Sequence, residues 1–480
     1  MKRRAFLGTS AGVSAGMLLR SVPALAQPAP RTRQPNVILI VCDDLDARPI
    51  DEAASIPRFM PRLQDLLVDR GTTFTHAYVT TPLCTPSRIS IYTGRYPHNT
   101  GAINNDGYRW FYGSGGERLT AATLLQAAGY RTVLLGKYVN AFSQVVDYPE
   151  YIPPGWDEWY VPLVNASYWN YHLNANGTQV YYGDSSKQEN YVVDVISRYA
   201  VDFILRMGGR PEPFFMHVAP VAPHKPALPA PRYGRVFNKL PAPRVPSFDE
   251  ADVSDKPDWL RLRKPRIDAS NQKLLDKLYG DRLAAMMAVD DLVRDLLQAL
   301  RITDQLENTV VAFTSDNGWQ TGEHRLTEGK TFPYEESIRV PLIVRGPGVP
   351  QGRKTDALVS NVDLLPTWCD LAGIPAPPDA DGRSLVPLFR QNLTPANSWR
   401  QEVLVEFLDP DGSESPPYRL IRTASGWMYL EYEWTEVEAY DMNADPFQLD
   451  NLGKIAPPRI PASLPGRLRQ LASCGSQQCR

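Results

Sequence analysis

Short apolar runs, many of them β-branched, alternate with helical patterns along this chain, and runs of this length are typical of buried parallel strands. Within Leu274–Leu300, residues Met286, Val289 and Val293 recur at steps of three and four and form one apolar helix face. Strands that alternate with helices predict an α/β fold with a doubly wound, mostly parallel sheet flanked by helices. The predicted strands are Asn36–Cys42, Arg131–Leu135, Pro213–Val218, Thr309–Ser315 and Val340–Val344.

The pattern changes from about Leu385 onward. The apolar runs become short and are split by turn residues, which predicts a small C-terminal antiparallel subdomain and tail over residues 385–480. The main α/β domain is expected over residues 35–384, with a long surface loop between Pro220 and Pro265. The predicted C-terminal strands are Glu402–Phe407, Tyr418–Thr423 and Trp427–Tyr432.

Residues 1–26 have the pattern of an export signal. Basic residues at positions 2–4 precede a short, glycine-rich apolar stretch, and Ala24-Leu25-Ala26 supplies the small residues of a cleavage site. The paired arginines followed by Phe6-Leu7 resemble a twin-arginine signal, so the twin-arginine export machinery is an expected partner. The apolar stretch is too short to span a bilayer. We therefore expect a periplasmic or secreted protein with no membrane span in the mature chain.

Charge and cysteine content exclude two further classes of protein. The 480 residues include 51 basic and 53 acidic side chains, so the chain lacks the basic field that a nucleic-acid partner would require. Five cysteines are too few to form a disulfide framework. Cys474 and Cys479 have a spacing that could close a small loop in an oxidising compartment. Cys42 and Cys369 lie in apolar patterns and are expected to be buried thiols.

Polar side chains follow several of the predicted strands. Ligands of open α/β sheets bind outside the carboxyl ends of the strands, so we expect these side chains to share one crevice. A single aspartate could instead cap a helix or open a turn, but two such groups after two buried strands favour a metal site. Carboxylate and amide oxygens suit Ca²⁺, or Mg²⁺, better than zinc. The strand-end residues are Asp43-Asp44, Gly136-Lys137, His224 and Asp316-Asn317-Gly318.

Cys84 begins the segment Cys84-Thr85-Pro86-Ser87-Arg88. Proline is favoured in the first turn of a helix and glycine just after its end, so Pro86 and Gly94 predict a helix with Cys84 at its N-terminus. The free N–H groups and dipole of such an end attract an anion, and Arg88 adds a cation one turn later.

The Cys-x-Pro-Ser-Arg motif, followed by Thr93-Gly94-Arg95, resembles the signature of the type I sulfatases of the alkaline phosphatase superfamily, in which the cysteine is converted to formylglycine. Further motifs follow in the family's order, and the resemblance extends from Asn36 to Leu452. It implies that residues 35–384 are the catalytic domain. The additional matching segments are Asp43-Asp44, Gly136-Lys137, Pro223-His224-Lys225-Pro226, Asp316-Asn317-Gly318, Lys330, Arg339-Val340-Pro341, Tyr440-Asp441 and Asp450-Asn451-Leu452.

The resemblance also implies the cofactors and the roles of the site residues. A formylglycine-generating enzyme is implied as a partner during maturation. The implied Ca²⁺ ligands are Asp43, Asp44, Asp316, Asn317 and the formylglycine made from Cys84. The implied sulfate contacts are Arg88, Lys137, His224 and Lys330.

The chemistry of a sulfate ester fits this arrangement. Ca²⁺ and the three basic side chains outweigh the three carboxylates, which favours an anion whose leaving oxygen gains negative charge. The hydrate of an aldehyde offers two hydroxyls, of which one can attack sulfur and the other can expel sulfate by regenerating the carbonyl. His224 is the candidate for protonating the leaving alcohol, with Lys330 as the alternative.

One departure from the family pattern leaves the general base open. Many sulfatases carry a histidine two or three residues after the strand-end lysine, where this chain has Val139 and Asn140, and an amide cannot accept a proton at neutral pH. The run from Gly136 to Asn140 instead resembles the branch that contains N-acetylglucosamine-6-sulfatases. Aromatic residues of the same branch could stack on a sugar or pack in the core. The segments that carry them are Pro154-Gly155-Trp156, Tyr168-Trp169-Asn170-Tyr171 and Ser315-Asp316-Asn317-Gly318-Trp319.

The first hypothesis is therefore an exported sulfatase that acts on a sulfated carbohydrate. The sequence leaves two alternatives open. One is an arylsulfatase, or a phosphate or phosphonate monoester hydrolase of the same superfamily, although the intact Cys84 signature and the lack of ligands for a second metal oppose phosphoryl chemistry. The other is a non-enzymatic carbohydrate-binding relic whose Cys84 is never oxidised.

Overall fold

A computed structural model describes residues 34–480 together with Met1 and Gly8, apart from residues 57, 147–149, 164–166, 186, 390–398, 412–414 and 434–435. The predicted export signal, except for Met1 and Gly8, lies outside the described residues. Within the described part of the chain, no helix is long and apolar enough to cross a membrane. Residues 34–480 form one compact unit.

A ten-stranded sheet dominates the fold, in the order β11-β2-β10-β9-β1-β8-β4-β5-β6-β7. Its central strands β9, β1, β8, β4 and β5 pair in parallel, which confirms the predicted doubly wound, mostly parallel architecture. The strands, numbered in chain order, are β1 (Asn36–Cys42), β2 (Thr72–Phe74), β3 (Ala77–Tyr78), β4 (Arg131–Gly136), β5 (Glu158–Pro162), β6 (Tyr171–Ala175), β7 (Thr178–Tyr182), β8 (Phe214–Ala219), β9 (Thr309–Ser315), β10 (Leu342–Arg345), β11 (Arg353–Thr355), β12 (Val359–Ser360), β13 (Glu402–Phe407), β14 (Tyr418–Thr423), β15 (Trp427–Tyr432) and β16 (Val437–Asp441).

The strand expected at Val340–Val344 is a correction to the sequence-based prediction. It spans Leu342–Arg345 and pairs antiparallel with β9 on one side and β2 on the other. A buried strand is a continuous apolar run in either direction, so the apolar pattern could not indicate that the chain turns back after β9. Strands β5 to β7 extend the sheet beyond β4 with antiparallel pairs that were not predicted.

Helices cover both faces of the sheet. The longer helices are α1 (Cys84–Thr93), α2 (Val192–Met207), α3 (Ala269–Ile302), α4 (Leu364–Leu371) and α5 (Leu464–Leu471). Shorter α-helical segments are Arg48–Asp51, Pro61–Leu63, Pro97–Thr100, Tyr108–Gly113, Ala121–Ala127, Phe142–Val145, Asp258–Arg261, Glu335–Ile338, Val386–Phe389 and Leu452–Ile455.

The alternation of side chains along β1 shows why the sheet is buried on both faces. Ile38 and Ile40 contribute to a core shared with α2 and α3, whereas Val37 and Leu39 contribute to a core shared with α1 and α4. Because successive side chains of a strand point to opposite faces, the all-apolar run of β1 needs a helical layer on each side.

Strands β13 to β16 form a separate four-stranded antiparallel sheet. Three of its strands match the predicted bounds, while β16 was not predicted. Helix α5 packs against this sheet, and the chain ends in a disulfide bond between Cys474 and Cys479. Cys42 and Cys369 are buried free thiols, as expected. The domain boundary near residue 385 stays a prediction.

Candidate active site

The carboxyl ends of four neighbouring strands bring the candidate residues together. Cys42 of β1 pairs with Ser315 of β9, so Asp43 and Asp316 leave the sheet at the same level. Gly136 of β4 likewise pairs with Ala219 of β8, and Lys137 follows directly. The predicted strand-end residues therefore share one edge of the sheet.

Cys84 lies at this edge, at the N-terminus of α1, as the motif predicted. The helix ends at Gly94, whose φ of 67° is the left-handed conformation that glycine adopts without a steric penalty. The Cys84 Sγ atom lies 3.6 Å from Asp43 Oδ1 and 2.7 Å from the ammonium nitrogen of Lys330. The thiol is therefore held between an acidic and a basic side chain.

Asp43 and Lys137 form a buried ion pair beside Cys84. The Lys137 Nζ atom donates to Asp43 Oδ2 at 2.7 Å, and both side chains are at most 3% exposed. Burial by itself would raise the pKa of Asp43, but Lys137 and His224 lower that pKa to about 2. Burial opposes the charge on Lys137 as well, and Asp43 nevertheless raises the pKa of Lys137 above its ordinary value. Both groups are charged at neutral pH.

Asp44 forms hydrogen bonds with three other residues of the site. Its Oδ1 accepts hydrogen bonds from Lys330 and, at 2.8 Å, from the Asn317 side-chain amide, while its backbone N–H donates to Asp316 Oδ1 at 3.1 Å. Burial opposes ionisation, yet Lys330 and His224 lower the pKa of Asp44. The backbone φ angle of Asp44 is 67°, which is uncommon for a residue other than glycine.

Arg88 reaches the site from α1 and is fully buried. Its Nε donates to Asp316 Oδ2 at 2.8 Å and its Nη1 donates to the Lys137 carbonyl at 2.8 Å. Nη2 has no hydrogen-bond partner among the described residues and lies 3.9 Å from Asp43 Oδ1. One guanidinium N–H group is therefore available to an anion bound beside Asp43.

The donor set fits a hard cation such as Ca²⁺. Ligand atoms of Asp43, Asp44, Cys84 and His224 all lie within 4.8 Å of one another. Asp44 Oδ2 and Asn317 Oδ1 are buried and find no hydrogen-bond donor in the described structure, which is costly unless a cation binds them. Asp316 lies beside this group, with Oδ1 accepting from the Asp44 backbone N–H and Oδ2 from Arg88, and each oxygen keeps a lone pair that can bind a cation.

His224 lies in the loop after β8 with its Nε2 atom 3.6 Å from Asp44 Oδ2. Its Nδ1 atom is 2.6 Å from the Lys225 carbonyl, which can only accept a hydrogen bond. Nδ1 therefore carries a proton, and Nε2 is the ring nitrogen that faces the site. The side chain is 24% exposed, so it borders the opening of the site rather than its floor.

Asn140 follows the strand-end Lys137 by three residues, one of the two positions at which the family resemblance leads us to expect a histidine. Its backbone N–H donates to Thr85 Oγ1 at 2.9 Å, which places it beside the residue that follows Cys84. Its Oδ1 atom is buried and accepts no hydrogen bond from the described residues. This oxygen can orient a hydroxyl group, but an amide cannot accept a proton at neutral pH.

Most aromatic residues of the three aromatic segments lie in the core. Trp156, Tyr168, Tyr171 and Trp319 are buried and Trp169 is partly buried against the core, which favours packing over stacking on a sugar. The Tyr168 hydroxyl instead donates to the His224 carbonyl at 2.8 Å.

Of two cavities in the described structure, one lies beside this site and the other does not. A cavity of about 580 Å³ lies between α2 and α3, far from the strand-end residues, and none of the candidate residues lines it. A smaller cavity of about 340 Å³ is lined by Leu83 and Thr331, the chain neighbours of Cys84 and Lys330. Its other lining residues are Asn104, Asn105, Asp106, Phe407, Asp409 and Asp411.

Arg282 of α3 was missed by the sequence analysis although it contacts two strand-end loops of the site. A signal was present in the chain, because Arg282 lies four residues before Met286 on the apolar face of the predicted helix. A cation on a face that is otherwise buried indicates a specific partner.

Comparisons with known proteins agree over most of the chain. Residues 35–374 match the family described as sulfatase, and residues 322–472 match the family described as the C-terminal part of N-sulphoglucosamine sulphohydrolase. The chain is 35% identical over 489 residues to the N-acetylglucosamine-6-sulfatase of Homo sapiens, covering 94% of this chain and 86% of that protein. It is 37% identical to the putative extracellular sulfatase Sulf-1 homolog of Caenorhabditis elegans, covering 78% of this chain and 52% of that protein.

Solved structures give the same fold. A protein in complex with its substrate D-glucosamine-2-N,6-O-disulfate has a TM-score of 0.74 and 26% identity, covering 91% of this chain and 96% of that chain. The phosphonate monoester hydrolase of Agrobacterium radiobacter has a TM-score of 0.71 and 22% identity, covering 92% of this chain and 95% of that chain. The second similarity concerns the fold alone.

Proposed function

Because the chain belongs to the sulfatase family and is a sulfuric ester hydrolase, we propose that it removes sulfate from a sulfated sugar of the N-acetylglucosamine-6-sulfate class. The observation that carries the proposal is the position of Cys84, whose sulfur lies between Asp43 and Lys330 at the carboxyl edge of the sheet. A reactive group at this point faces both a metal-binding cluster and a set of cations.

We infer that Cys84 acts as formylglycine and not as a thiol. Burial raises the pKa of the Cys84 thiol to about 12, so the sulfur is protonated at neutral pH and is a weak nucleophile. A hard cation held by carboxylates also prefers an oxygen ligand to sulfur. The aldehyde hydrate supplies two hydroxyls on one carbon, one to attack sulfur and one to expel sulfate by re-forming the carbonyl.

We infer Ca²⁺ as the bound ion, with Asp43, Asp44, Asp316, Asn317 and the oxidised Cys84 as ligands. Bound there, Ca²⁺ would neutralise the carboxylates and lower the pKa of a neighbouring hydroxyl.

Two substitutions test the calcium site and the role of Lys137. Asp316→Ala should abolish calcium-dependent thermal stabilisation and activity together, whereas Lys137→Ala should retain the stabilisation and lose turnover. Equal loss of both by Lys137→Ala would show that Lys137 is structural.

The basic side chains bind and orient the sulfate group in this account. Arg88 is fixed by Asp316 and the Lys137 carbonyl, which leaves its Nη2 free to donate to a sulfate oxygen. Lys137 and Lys330 are held on either side of Cys84 by Asp43 and Asp44. Charged donors fixed in a buried site stabilise the developing negative charge with little reorganisation.

His224 protonates the leaving alcohol. The Lys225 carbonyl holds the proton of Nδ1, so in the imidazolium form Nε2 gives its proton to the oxygen of the sugar and the ring is left neutral. Lys330 is the alternative acid, but its pKa is raised well above the ordinary lysine value: burial opposes the charge, and Asp44 outweighs that effect. A group that holds its proton so tightly is a poor general acid at neutral pH.

The sugar occupies the cavity of about 340 Å³ beside Leu83 and Thr331. Its polar lining of asparagine and aspartate side chains can accept and donate hydrogen bonds to hydroxyls and to an acetamide group. Asp409 and Phe407 come from the chain around β13, so the C-terminal sheet contributes to the recognition of the sugar.

Assay of the purified, matured protein against a panel of monosaccharide sulfates tests the function. Hydrolysis of N-acetylglucosamine-6-sulfate well above that of aryl sulfates, phosphate monoesters and phosphonate monoesters is the expected result. Preference for an aryl sulfate, or for either phosphorus ester, would replace the proposal by the corresponding alternative. No turnover with any ester would indicate a carbohydrate-binding relic.

We also propose that the protein is exported through the twin-arginine pathway after Cys84 has been oxidised. The N-terminal pattern supports export, and the Cys474–Cys479 disulfide is of a kind that persists in oxidising compartments. Cell fractionation of the wild type and of the Arg3→Lys, Arg4→Lys double variant tests the route. Equal amounts of both proteins outside the cytoplasm would contradict it.

A further inference from the structure

Arg282 is a buried cation in the middle of α3, with only 4% of its surface exposed. It lies on the face of the helix that otherwise packs apolar residues such as Met286 and Val289 against the sheet. Placing a guanidinium group there is costly unless specific acceptors satisfy it. Its partners therefore indicate what the residue does.

The guanidinium group connects three separate loops at the carboxyl edge of the sheet. Nη1 donates to the Pro223 carbonyl at 3.1 Å, and Nη2 donates to the Asp44 carbonyl. The guanidinium carbon Cζ lies over the Trp319 ring, 5.0 Å from the ring centroid. Trp319 follows the Asp316-Asn317-Gly318 segment after β9. A single side chain thus contacts the loops that follow β1, β8 and β9.

Both carbonyls belong to residues that decide the geometry of the site. The Pro223 carbonyl is part of the peptide bond to His224. Asp44 has φ of 67°, a conformation that costs energy for a residue with a side chain and persists only where the surroundings hold it. Its N–H is held by Asp316, and Arg282 holds the other side of the residue through its carbonyl.

We propose that Arg282 is a positioning residue that fixes the spacing between Asp44 and His224, and hence between the metal ligands and the acid; the inference rests on the proposed function of those two residues. Arg282 acts on Asp44 and His224 only through the backbone of their loops, and the Trp319 ring supports the guanidinium group. Lysine could not replace it, because a single ammonium nitrogen cannot reach two carbonyls in the fork geometry of a guanidinium and also stack on an indole.

Arg282→Lys tests the proposal, since it keeps the positive charge and removes the forked pair of N–H donors. Support of metal ligands by neighbouring residues is typically worth about ten- to a hundred-fold in affinity or activity. We expect kcat on the sugar sulfate to fall by that factor with little change in KM, and the calcium concentration for half-maximal thermal stabilisation to rise. Arg294→Lys is the matched control, because Arg294 lies on the same helix but pairs with Asp291 and Asp295 at the surface.

A merely structural role for Arg282 would give a different result. In that case Arg282→Lys would unfold at a lower temperature while kcat and the calcium requirement of the folded protein stayed at the wild-type values, and the proposal would be overturned. If Arg282→Lys does not fold, Trp319→Leu provides the second test, because it removes the surface under the guanidinium and should raise the calcium requirement in the same direction. An unchanged requirement in Trp319→Leu would also overturn the proposal.

The calcium measurement separates this inference from the proposed function. If the wild type binds calcium but hydrolyses no ester, the proposed function fails, and a raised calcium requirement in Arg282→Lys still supports the positioning role. If the wild type binds no calcium, both fail.

Discussion

The ammonium nitrogen of Lys330 lies 2.7 Å from the sulfur of Cys84 and also donates a hydrogen bond to Asp44. One lysine therefore contacts both the residue proposed to carry the nucleophile and a proposed metal ligand. A cation at the free Oδ2 atom of Asp44 would share the negative charge of that carboxylate with Lys330, which is bound to Oδ1. The positive charge of Lys330 therefore competes electrostatically with the cation, and this competition can be measured by replacing Lys330.

Replacement of Lys330 by methionine should separate calcium binding from turnover. Removing one partner of a buried ion pair destabilises a protein by about 3–5 kcal/mol, so Lys330→Met should unfold earlier than the wild type in a chelator. Calcium should restore much of the lost stability, because in this variant it neutralises the charge of Asp44 without competing with the ammonium group of Lys330. Turnover should fall by about a hundred-fold or more, as for the loss of a donor to a developing oxyanion.

Thermal unfolding with and without calcium, together with kcat, measures these effects. Lys225→Met is the control, since Lys225 lies next to His224 but pairs with Glu328 at the surface. A calcium-dependent rise in unfolding temperature that is smaller in Lys330→Met than in the wild type would contradict the competition.

His224→Ala should slow sugar sulfates far more than activated aryl sulfates, because a good leaving group departs without a proton. General acid catalysis typically contributes about a hundred- to ten-thousand-fold, so the contrast in kcat/KM should be large. No other histidine of the described structure joins the Asp43–Asp44–Cys84 cluster to mask the loss. Equal slowing of both substrate classes would limit His224 to binding sulfate and transfer the acid role to Lys330.

Asp409→Asn should relax discrimination against substrates with a second anionic group. The cavity beside Cys84 is lined by Asp106, Asp409 and Asp411, and its described lining includes no basic side chain. Like charges repel, so N-acetylglucosamine-6-sulfate should be hydrolysed faster than D-glucosamine-2-N,6-O-disulfate. The ratio of the two kcat/KM values should move toward one in Asp409→Asn. An unchanged ratio would show that the sugar lies elsewhere.

His98 should make the stability of the protein depend on pH, because it contacts two residues of the C-terminal region. Its Nδ1 lies 2.8 Å from Glu406 Oε1 and its Nε2 lies 3.0 Å from the Cys474 carbonyl. Both partners are acceptors, so both ring nitrogens carry protons. Burial alone would lower the pKa of His98, but Glu406 raises it above the ordinary value.

A raised pKa in the folded state means that the contribution is fully present below the unfolded pKa of about 6.5 and is lost as pH rises through the folded value. The difference in unfolding free energy between the wild type and His98→Gln should therefore shrink as pH increases through that range. Asn99→Ala is the control, since Asn99 donates to the same Cys474 carbonyl without titrating. A His98→Gln difference that is as constant with pH as that of Asn99→Ala would contradict the prediction.

Much of the fold and site could be predicted because the signals were local. Buried strands β1 and β9 are largely apolar runs followed by Asp43-Asp44 and Asp316-Asn317, and the bounds of both strands match the prediction. The direction of β10 could not be predicted, since its apolar residues are buried whichever way the strand runs. The contacts of Arg282 depend on loops that are 59 and 238 residues away in sequence, and no local pattern encodes such a pairing.

The chemical state of Cys84 tests the central claim most directly. Mass spectrometry of the peptide that contains residue 84, taken from active exported protein, should show an aldehyde or its hydrate in place of the thiol. The fraction of aldehyde should also follow the specific activity across preparations. Fully active protein in which this peptide carries only the unmodified cysteine would contradict the account.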